Sequence, residues 1–240
     1  MRWGQYRVVS FSGIDGAGKT TQIESLCRFL DERGLRWRLY TFWEDVAAFS
    51  RIREKCSTGL FKGDNGVGSP DRPIERRDKN VTSWPVVLSR LVIYVADAFC
   101  ARRTFREATL GPADVVIFDR YIYDEWANLP QRSSAVRAYI RLLSHLVPKP
   151  DIAILLDADP LAAHRRKPEY PLQFVRHNRE AYISLVRLVG MTVVPAGSVE
   201  DTTELIAKAL WASSQGETEL PISSERGRSA PEPNRGGSAW

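Results

Sequence analysis

Short apolar runs alternate along this chain with longer segments in which apolar residues recur every three or four positions. The short runs predict five β-strands. They lie at residues 6–11, 38–42, 114–118, 152–156 and 192–194. Between the first two runs, one face of a predicted helix is apolar and consists of Ile23, Leu26, Cys27 and Leu30. The alternation favours an α/β fold with a parallel sheet covered by helices on both faces, in which ligands bind beyond the carboxyl ends of the strands.

A glycine-rich segment connects the first predicted strand to the first predicted helix. Residues 11–21 read FSGIDGAGKTT, which is the pattern of a phosphate-binding loop. Glycines let the main chain wrap closely around phosphate groups, and the start of the helix favours an anion there. We therefore expect the loop to bind a nucleoside triphosphate. The expected binding residues are Gly13, Asp15, Gly16, Ala17, Gly18, Lys19, Thr20 and Thr21.

Three side chains carry the chemistry expected at this loop. Lys19 should reach the terminal phosphates of the donor, and the Thr20 hydroxyl should bind Mg²⁺. Asp119 follows a continuously apolar strand, so its carboxylate should stand at the sheet edge near the loop and hold the ion or its water shell. Lys19 and Asp119 are therefore predicted to be catalytic, with Thr20 and Asp119 as the metal ligands.

Composition and charge exclude several other classes of protein. The chain has 240 residues and is 43% hydrophobic, which is enough for one substantial core. Its net charge is +5, but the 34 basic residues are spread among 29 acidic ones without a long basic run, which argues against a nucleic-acid partner. No apolar run reaches about 18 residues, and no apolar export segment precedes the first strand. We therefore expect a cytoplasmic protein without a membrane partner.

Changes in composition also predict the domain organisation. Residues 1–213 are expected to form one P-loop domain, and residues 214–240, rich in Gly, Ser and Pro, a disordered tail. Within the domain, residues 58–84 break the alternation with several glycines and prolines. We expect a long mobile loop there, over one side of the site.

Three segments together resemble the thymidylate kinase family of P-loop nucleoside monophosphate kinases. They are the phosphate loop, the strand-end triplet Asp119-Arg120-Tyr121 and the Leu-Asp-Ala-Asp-Pro stretch at residues 156–160, and the similarity spans about residues 5–210. The resemblance implies a three-layer α/β/α fold of the P-loop NTPase type with a five-stranded parallel sheet. It also implies ATP with Mg²⁺ as the donor, dTMP as the acceptor, a lid near residues 162–176 and a homodimer.

The resemblance assigns roles at the acceptor and at the lid. Arg120 matches the family's acceptor-phosphate arginine, and its planar guanidinium suits this role because it binds two phosphate oxygens. Tyr121 beside it either contacts the acceptor or packs in the core. Family members that lack an arginine in the phosphate loop carry it on the lid. The candidates here are Arg165 and Arg166, with Arg176 in reserve, and the alternative for them is a solvated cluster at a helix end.

The helix predicted near residues 86–105 carries two stripes. The apolar stripe, which is predicted to be the buried face, consists of Leu88, Leu91, Val92, Val95 and Phe99. The other consists of Arg90, Tyr94, Asp97 and Ala101. Tyr94 either stacks on the acceptor base, as the family's aromatic does at this place, or packs in the core. Ala98 stands where the family has an arginine that contacts the base.

Two further segments depart from the family near the acceptor. After the second strand, Glu44 is retained as an acceptor-site residue, but the family's arginine and glycine turn are absent. After Tyr121, Asp124 and Glu125 replace a serine-containing stretch. Their charges should repel a monophosphate unless Mg²⁺ or arginines compensate. The donor site is therefore complete, whereas the identity of the acceptor stays open.

These observations leave three functions to compare. The leading hypothesis is phosphoryl transfer from ATP to a nucleoside monophosphate, which needs no general base because the acceptor phosphate is ionised. The second is a P-loop kinase that phosphorylates a hydroxyl of a nucleoside, sugar or other small molecule, with Glu44, Asp119 or Asp15 accepting the proton. The third is a nucleotide-binding regulatory protein without transfer activity.

Overall fold

The computed structural model describes residues 7–47 and 84–212, and a five-stranded sheet forms its centre. The strands are β1 (Arg7–Ser12), β2 (Trp37–Thr41), β3 (Val115–Asp119), β4 (Ile152–Asp157) and β5 (Thr192–Pro195). The helices are α1 (Lys19–Asp31), α2 (Trp84–Thr109), α3 (Ile122–Trp126), α4 (Ser134–Leu146), α5 (Pro160–Arg166), α6 (Leu172–Val189) and α7 (Val199–Ala212). A π-helical turn, Phe42–Val46, follows β2. The five predicted strands are confirmed, each boundary within one residue of its predicted position.

The order of the strands brings the predicted site residues to one edge of the sheet. The order is β2-β3-β1-β4-β5, and every neighbouring pair is parallel. Because β1 lies between β3 and β4, the phosphate loop opens at the middle of the carboxyl edge. Asp119 at the end of β3 lies opposite Phe11 of β1 and Thr41 of β2. The predicted P-loop NTPase-type three-layer α/β/α fold with a five-stranded parallel sheet is confirmed.

The core lies between the sheet and the helices. Val9, Val116 and Ile117 in the central strands are fully buried. The predicted apolar face of α1 is buried as well, and its members are Ile23, Leu26, Cys27 and Leu30. Burial of one large aliphatic side chain contributes roughly 1.5–3 kcal/mol. This packing fixes the ends of β1 and β3, and with them the loop between β1 and α1.

The face of α2 that packs against the core is not the face predicted from the sequence. Leu88, Val92 and Phe99 are 57%, 73% and 63% exposed, whereas Tyr94 and Asp97 are 2% and 0% exposed. The prediction that the apolar stripe is the buried face is therefore wrong for these three residues. The other two members of the stripe, Leu91 and Val95, are half-buried.

The face of α2 that does enter the core contains small residues. Ala98 and Ala101 are 2% and 1% exposed, and small side chains let a helix approach its neighbours closely. Periodicity alone does not separate a core face from an apolar face that is left exposed, because both repeat at the helical spacing.

Two predicted segments lie outside the described residues. They are the tail at 214–240 and the loop at 58–84, apart from Trp84, at which α2 begins. Within the ranges 7–47 and 84–212, no helix has the length and apolarity needed to cross a membrane.

Candidate active site

The phosphate loop lies between β1 and α1, and its backbone requires glycine. Gly13 and Gly16 have φ angles of 145° and 81°, a region that residues with a side chain rarely adopt. A Cβ on Gly13 would lie 2.7 Å from the carbonyl oxygen of Leu156. A Cβ on Gly16 would clash with the carbonyl oxygen of Ala163. The loop is therefore packed against the end of β4 and against α5, too closely for larger residues.

Helix α1 begins at this loop with main-chain N–H groups that can receive an anion. Gly18 precedes the helix in the left-handed conformation and supplies no side-chain cap, and the first turn contains no acidic residue. A helix start of this kind favours a bound phosphate. Thr20 and Thr21 are exposed in the first turn, whereas Ala17 is buried. The predicted strand, loop and helix are thus confirmed in this order.

Lys19 is buried within the loop. Its Nζ donates hydrogen bonds to the carbonyl oxygens of Gly13 and Ile14 at 2.9 and 3.0 Å. Burial, and then the positive charge of Arg120, lower the pKa of Lys19 to about 7, although nearby carboxylates oppose this shift. Anionic phosphate oxygens beside the amine would favour its charged form. A bound polyphosphate and the lysine would therefore stabilise each other.

Arg120 connects the phosphate loop to the segment after β3. Its main-chain N–H donates to the carbonyl oxygen of Phe11 at 2.9 Å. Its Nη2 lies 2.5 Å from Asp15 Oδ1, and its Nη1 lies 3.0 Å from Asp124 Oδ1. Burial lowers the pKa of Arg120, but the carboxylates of Asp124 and Asp15 outweigh it, and the pKa is raised above its usual value. Arg120 is therefore charged and lies at the loop.

Asp124 is a site residue that the sequence interpretation did not select. Its side chain is 2% exposed. It accepts hydrogen bonds from Ser12 Oγ, Tyr182 Oη, Arg120 Nη1 and the Tyr121 N–H. The signal in the sequence is a pair of acidic residues within a segment that is otherwise apolar and aromatic, since carboxylates are rarely buried unless they are paired. Asp124 is thus a bound counter-ion of Arg120 and not an isolated charge.

The two predicted metal ligands stand on neighbouring elements. Asp119 is half-buried at the end of β3, and Thr20 is exposed at the start of α1. The charge of Asp119 raises the pKa of Lys19, against the larger effects that lower it. In the described part of the chain, there is no group of three or more His, Cys, Asp or Glu side chains that could hold a metal ion by itself. This sparse set of protein oxygens fits Mg²⁺, which usually keeps several waters and binds through substrate phosphates.

The other predicted acceptor residues lie in different environments. Tyr121 is fully buried, and its O–H donates to the carbonyl oxygen of Pro148 at 2.7 Å. Tyr94 is also part of the core. For both tyrosines, burial favours the packing alternative. Glu44 is exposed on the π-helical turn after β2.

The predicted lid consists of α5 and the beginning of α6. Arg165 and Arg166 are both exposed on α5. Nη1 of Arg166 lies 3.8 Å from the place where a Cβ on Gly18 would stand. Arg166 is therefore beside the phosphate loop.

Two arginines on α6 have different surroundings. Arg176, the reserve candidate for the lid, is exposed. Arg179, which the sequence analysis did not select, binds both carboxylate oxygens of Asp157 through Nε and Nη2, at 2.5 and 2.7 Å. This pair attaches α6 to the end of β4 beside the loop. The signal for it in the sequence is the position of Asp157 directly after a buried strand.

The sheet and the loop at its carboxyl edge define a P-loop nucleotide-binding protein. A probable thymidylate kinase of Pyrobaculum aerophilum is 28% identical over 216 residues, which are 84% of this chain and 97% of the relative. The thymidylate kinase of Xanthomonas campestris is 26% identical over 211 residues, which are 81% of this chain and 78% of the relative. A probable thymidylate kinase of Staphylothermus marinus is 30% identical over 192 residues, which are 77% of this chain and 83% of the relative. No family model matches the sequence.

These similarities cover most of both chains in each case. The chain belongs to the thymidylate kinase family. The resemblance stated from three sequence segments is thereby confirmed, and the protein is a transferase of the nucleotide kinase class.

Proposed function

We propose that this protein transfers the γ-phosphoryl group of ATP to a nucleoside monophosphate, with dTMP as the acceptor. The observation that carries the proposal is the contact of Arg120 with Asp15 on the phosphate loop, a few residues from the buried Lys19. It sets a cation suited to an acceptor phosphate beside a cation suited to donor phosphates. The names of the relatives support dTMP as the acceptor.

The proposed reaction balances without proton transfer. An oxygen of the ionised acceptor phosphate attacks the γ-phosphorus of ATP and forms a new P–O bond. The bond between the γ-phosphorus and the β,γ-bridging oxygen breaks, and ADP leaves. Because the nucleophile needs no base, catalysis consists of positioning the two phosphates and stabilising charge between them.

The residues of the phosphate loop, the end of β3 and the lid have distinct roles in the proposed reaction. The main chain of the phosphate loop would bind the donor phosphates, and Lys19 would neutralise their charge. Mg²⁺, held by Thr20 and Asp119, would withdraw further charge from these phosphates. Arg120 would bind the acceptor phosphate, and the lid arginines, Arg166 foremost, would stabilise the transferring group.

A hydroxyl acceptor is the second candidate, and one observation favours it. Both terminal nitrogens of Arg120 already donate to carboxylates, so an incoming phosphate would compete with these partners. A hydroxyl compound need not do so. Its proton would pass to Asp15, Glu44 or Asp119 while the oxygen attacks the γ-phosphorus.

One assay separates these functions. The purified protein is incubated with ATP, Mg²⁺ and a panel of nucleoside monophosphates and nucleosides, and the products are identified by mass spectrometry. We expect dTDP from dTMP. Transfer to unphosphorylated compounds alone supports the second candidate. ATP binding in calorimetry without turnover across the panel contradicts both and supports a regulatory protein.

We further propose that the exposed apolar stripe of α2 is the contact surface of a homodimer. Leu88, Val92 and Phe99 recur on one face of the helix. Helix α4 packs beside α2, since the O–H of Tyr139 donates to the carbonyl oxygen of Leu91, and it adds Leu142, which is 64% exposed. Exposed apolar patches of this kind are typical of protein interfaces.

Replacing Val92 with arginine should separate the two copies. An unpaired charge at an apolar contact costs a few kcal/mol, so the dimer dissociation constant should rise by about 100-fold. Leu110→Arg is the matched control, because Leu110 lies beyond α2 and is exposed to the same 73%. Sedimentation equilibrium measures both. A monomeric wild type, or equal effects of the two variants, contradicts the proposal.

A further inference from the structure

Asp124 lies behind Arg120, on the side away from solvent. We propose that Asp124 is a positioning residue that holds the Arg120 guanidinium in place, while Asp15 is the partner that the acceptor phosphate replaces. This inference rests on the proposed function, because it assigns the acceptor phosphate to Arg120.

The hydrogen bonds of Asp124 make it a fixed partner. Oδ2 accepts from Ser12 Oγ at 2.6 Å and from the Tyr121 N–H at 3.2 Å. Oδ1 accepts from Tyr182 Oη at 2.7 Å as well as from Arg120. These donors belong to β1, α6 and the segment after β3, so the carboxylate joins three parts of the site. Breaking this network would leave a buried carboxylate without partners, which is costly.

The two carboxylates on Arg120 differ in their access to solvent. The side chain of Asp15 is 16% exposed, whereas that of Asp124 is 2% exposed. Asp15 lies on the glycine-rich loop, and Asp124 lies in the short helix α3, which is buried along its whole length. An anion can therefore approach the guanidinium from the side of Asp15 and not from the side of Asp124. If a phosphate replaces the carboxylate of Asp15, Arg120 keeps an anionic partner before, during and after the exchange.

The backbone of Arg120 also needs support. Its φ angle is 67°, and it is the one residue other than glycine with positive φ in the described part of the chain. Such a conformation costs of the order of 1 kcal/mol or more and persists where surrounding contacts enforce it. Asp124, four residues further on, binds the end of the same side chain. It thus enforces both the direction of the guanidinium and the turn that carries it.

Replacing Asp124 with asparagine distinguishes positioning from simple repulsion. If the carboxylate only repelled the acceptor, its removal would lower the KM for dTMP. If it positions Arg120, the KM should rise by about 10- to 100-fold, as expected for the loss of a hydrogen bond between charged groups. The KM for ATP should stay within about twofold. A fall or no change in the acceptor KM overturns the inference.

Two further variants complete this experiment. Asp114→Asn makes the same substitution at the other end of β3, where Asp114 binds Arg36 through Oδ1 and Oδ2, and it should leave both KM values unchanged. Tyr182→Phe removes one hydrogen bond to Asp124 without changing its charge and should raise the acceptor KM severalfold. If Asp124→Asn does not fold by circular dichroism, Tyr182→Phe decides the question, and an unchanged acceptor KM overturns the inference.

A measurement that needs no turnover separates this inference from the proposed function. NMR of ¹⁵N-arginine protein, with Arg120→Lys for assignment, gives the exchange rate of the guanidinium protons of Arg120 with water. We expect slow exchange in the wild type and exchange at least about tenfold faster in Asp124→Asn, but not in Asp114→Asn. A wild type that does not phosphorylate dTMP contradicts the proposed function alone. Equal exchange rates in the wild type and Asp124→Asn contradict the inference alone.

Discussion

Replacing Lys19 with methionine is expected to lower kcat by about 10³-fold or more, which in practice abolishes phosphoryl transfer. The methionine keeps most of the length and the apolar stem of the side chain but removes the charge that would bridge the donor phosphates. Lys19 lies within the loop, 2.9 Å from the carbonyl oxygen of Gly13, so the variant removes the amine from the middle of the loop. Steady-state kinetics with ATP and the acceptor found in the panel assay test this result.

The same variant has a second consequence, for stability. The pKa of Lys19 is lowered from 10.5 to about 7 in the folded protein, so between these values the unfolded chain binds a proton that the folded chain does not. The free energy of unfolding of the nucleotide-free wild type should therefore rise with pH across this window. Lys19→Met removes this dependence. Urea unfolding at pH 7 and pH 9 measures it.

Lys149→Met is the control for both measurements, because Lys149 is exposed. It should retain full activity and the pH dependence of the wild type. Turnover by Lys19→Met within about tenfold of the wild type contradicts the role of Lys19 in transfer. Equal pH dependence in wild type and Lys19→Met contradicts the burial of its amine.

The phosphate loop and the sheet could be predicted because their signals are local. The loop requires fixed residue types at fixed spacing, and the backbone angles of Gly13 and Gly16 show why glycine is needed there. The central strands are buried on both faces, so their continuous apolar runs do not depend on which neighbour covers them. For the same reason, the strand-end residues Asp119 and Arg120 could be assigned to the carboxyl edge before the fold was known.

Two partners of Asp124 could not be predicted, because they come from distant parts of the chain. Ser12 precedes Asp124 by 112 residues, and Tyr182 follows it by 58. No pattern within one segment indicates that these side chains meet. The sequence therefore suggested a repulsive charge at Asp124, whereas the fold supplies donors for its carboxylate. The exposure of the apolar stripe of α2 was not predicted for a related reason. Apolar periodicity identifies a helix face but does not indicate which part of the protein covers it.

The charges at the loop bear differently on a donor and on an acceptor. Two basic side chains, Lys19 and Arg120, lie among three carboxylates, those of Asp15, Asp119 and Asp124. Donor phosphates would add negative charge that bound Mg²⁺ would partly neutralise. An acceptor phosphate at Arg120 would add further negative charge and would compete with the carboxylates that Arg120 already binds. The proposed exchange of partners at Arg120 therefore follows from contacts in the fold and not from a local sequence pattern.

Replacing Arg120 with alanine is expected to damage use of the acceptor while leaving the donor in place. Loss of a cation that binds the reacting phosphate should lower kcat/KM for the acceptor by about 10²- to 10³-fold. The affinity for ATP, measured by calorimetry, should change by less than about threefold. Arg36→Ala is the control, because Arg36 also binds a carboxylate, that of Asp114 just before β3, but is 67% exposed and lies at the opposite end of that strand. Unchanged use of the acceptor by Arg120→Ala would mean that this strand end has no part in the reaction.

The stability of the Arg120 variants tests the same assignment independently. Arg120→Ala leaves Asp124 buried without its cation, and breaking a buried pair in this way costs about 3–5 kcal/mol. Alanine also retains the strain of a side chain at positive φ, whereas glycine adopts this conformation freely. Arg120→Gly should therefore be more stable than Arg120→Ala by about 1 kcal/mol, although both lack the guanidinium and both should be equally defective with the acceptor. Chemical unfolding measures the difference. If alanine proves the more stable, the backbone at this position is not held in the left-handed conformation.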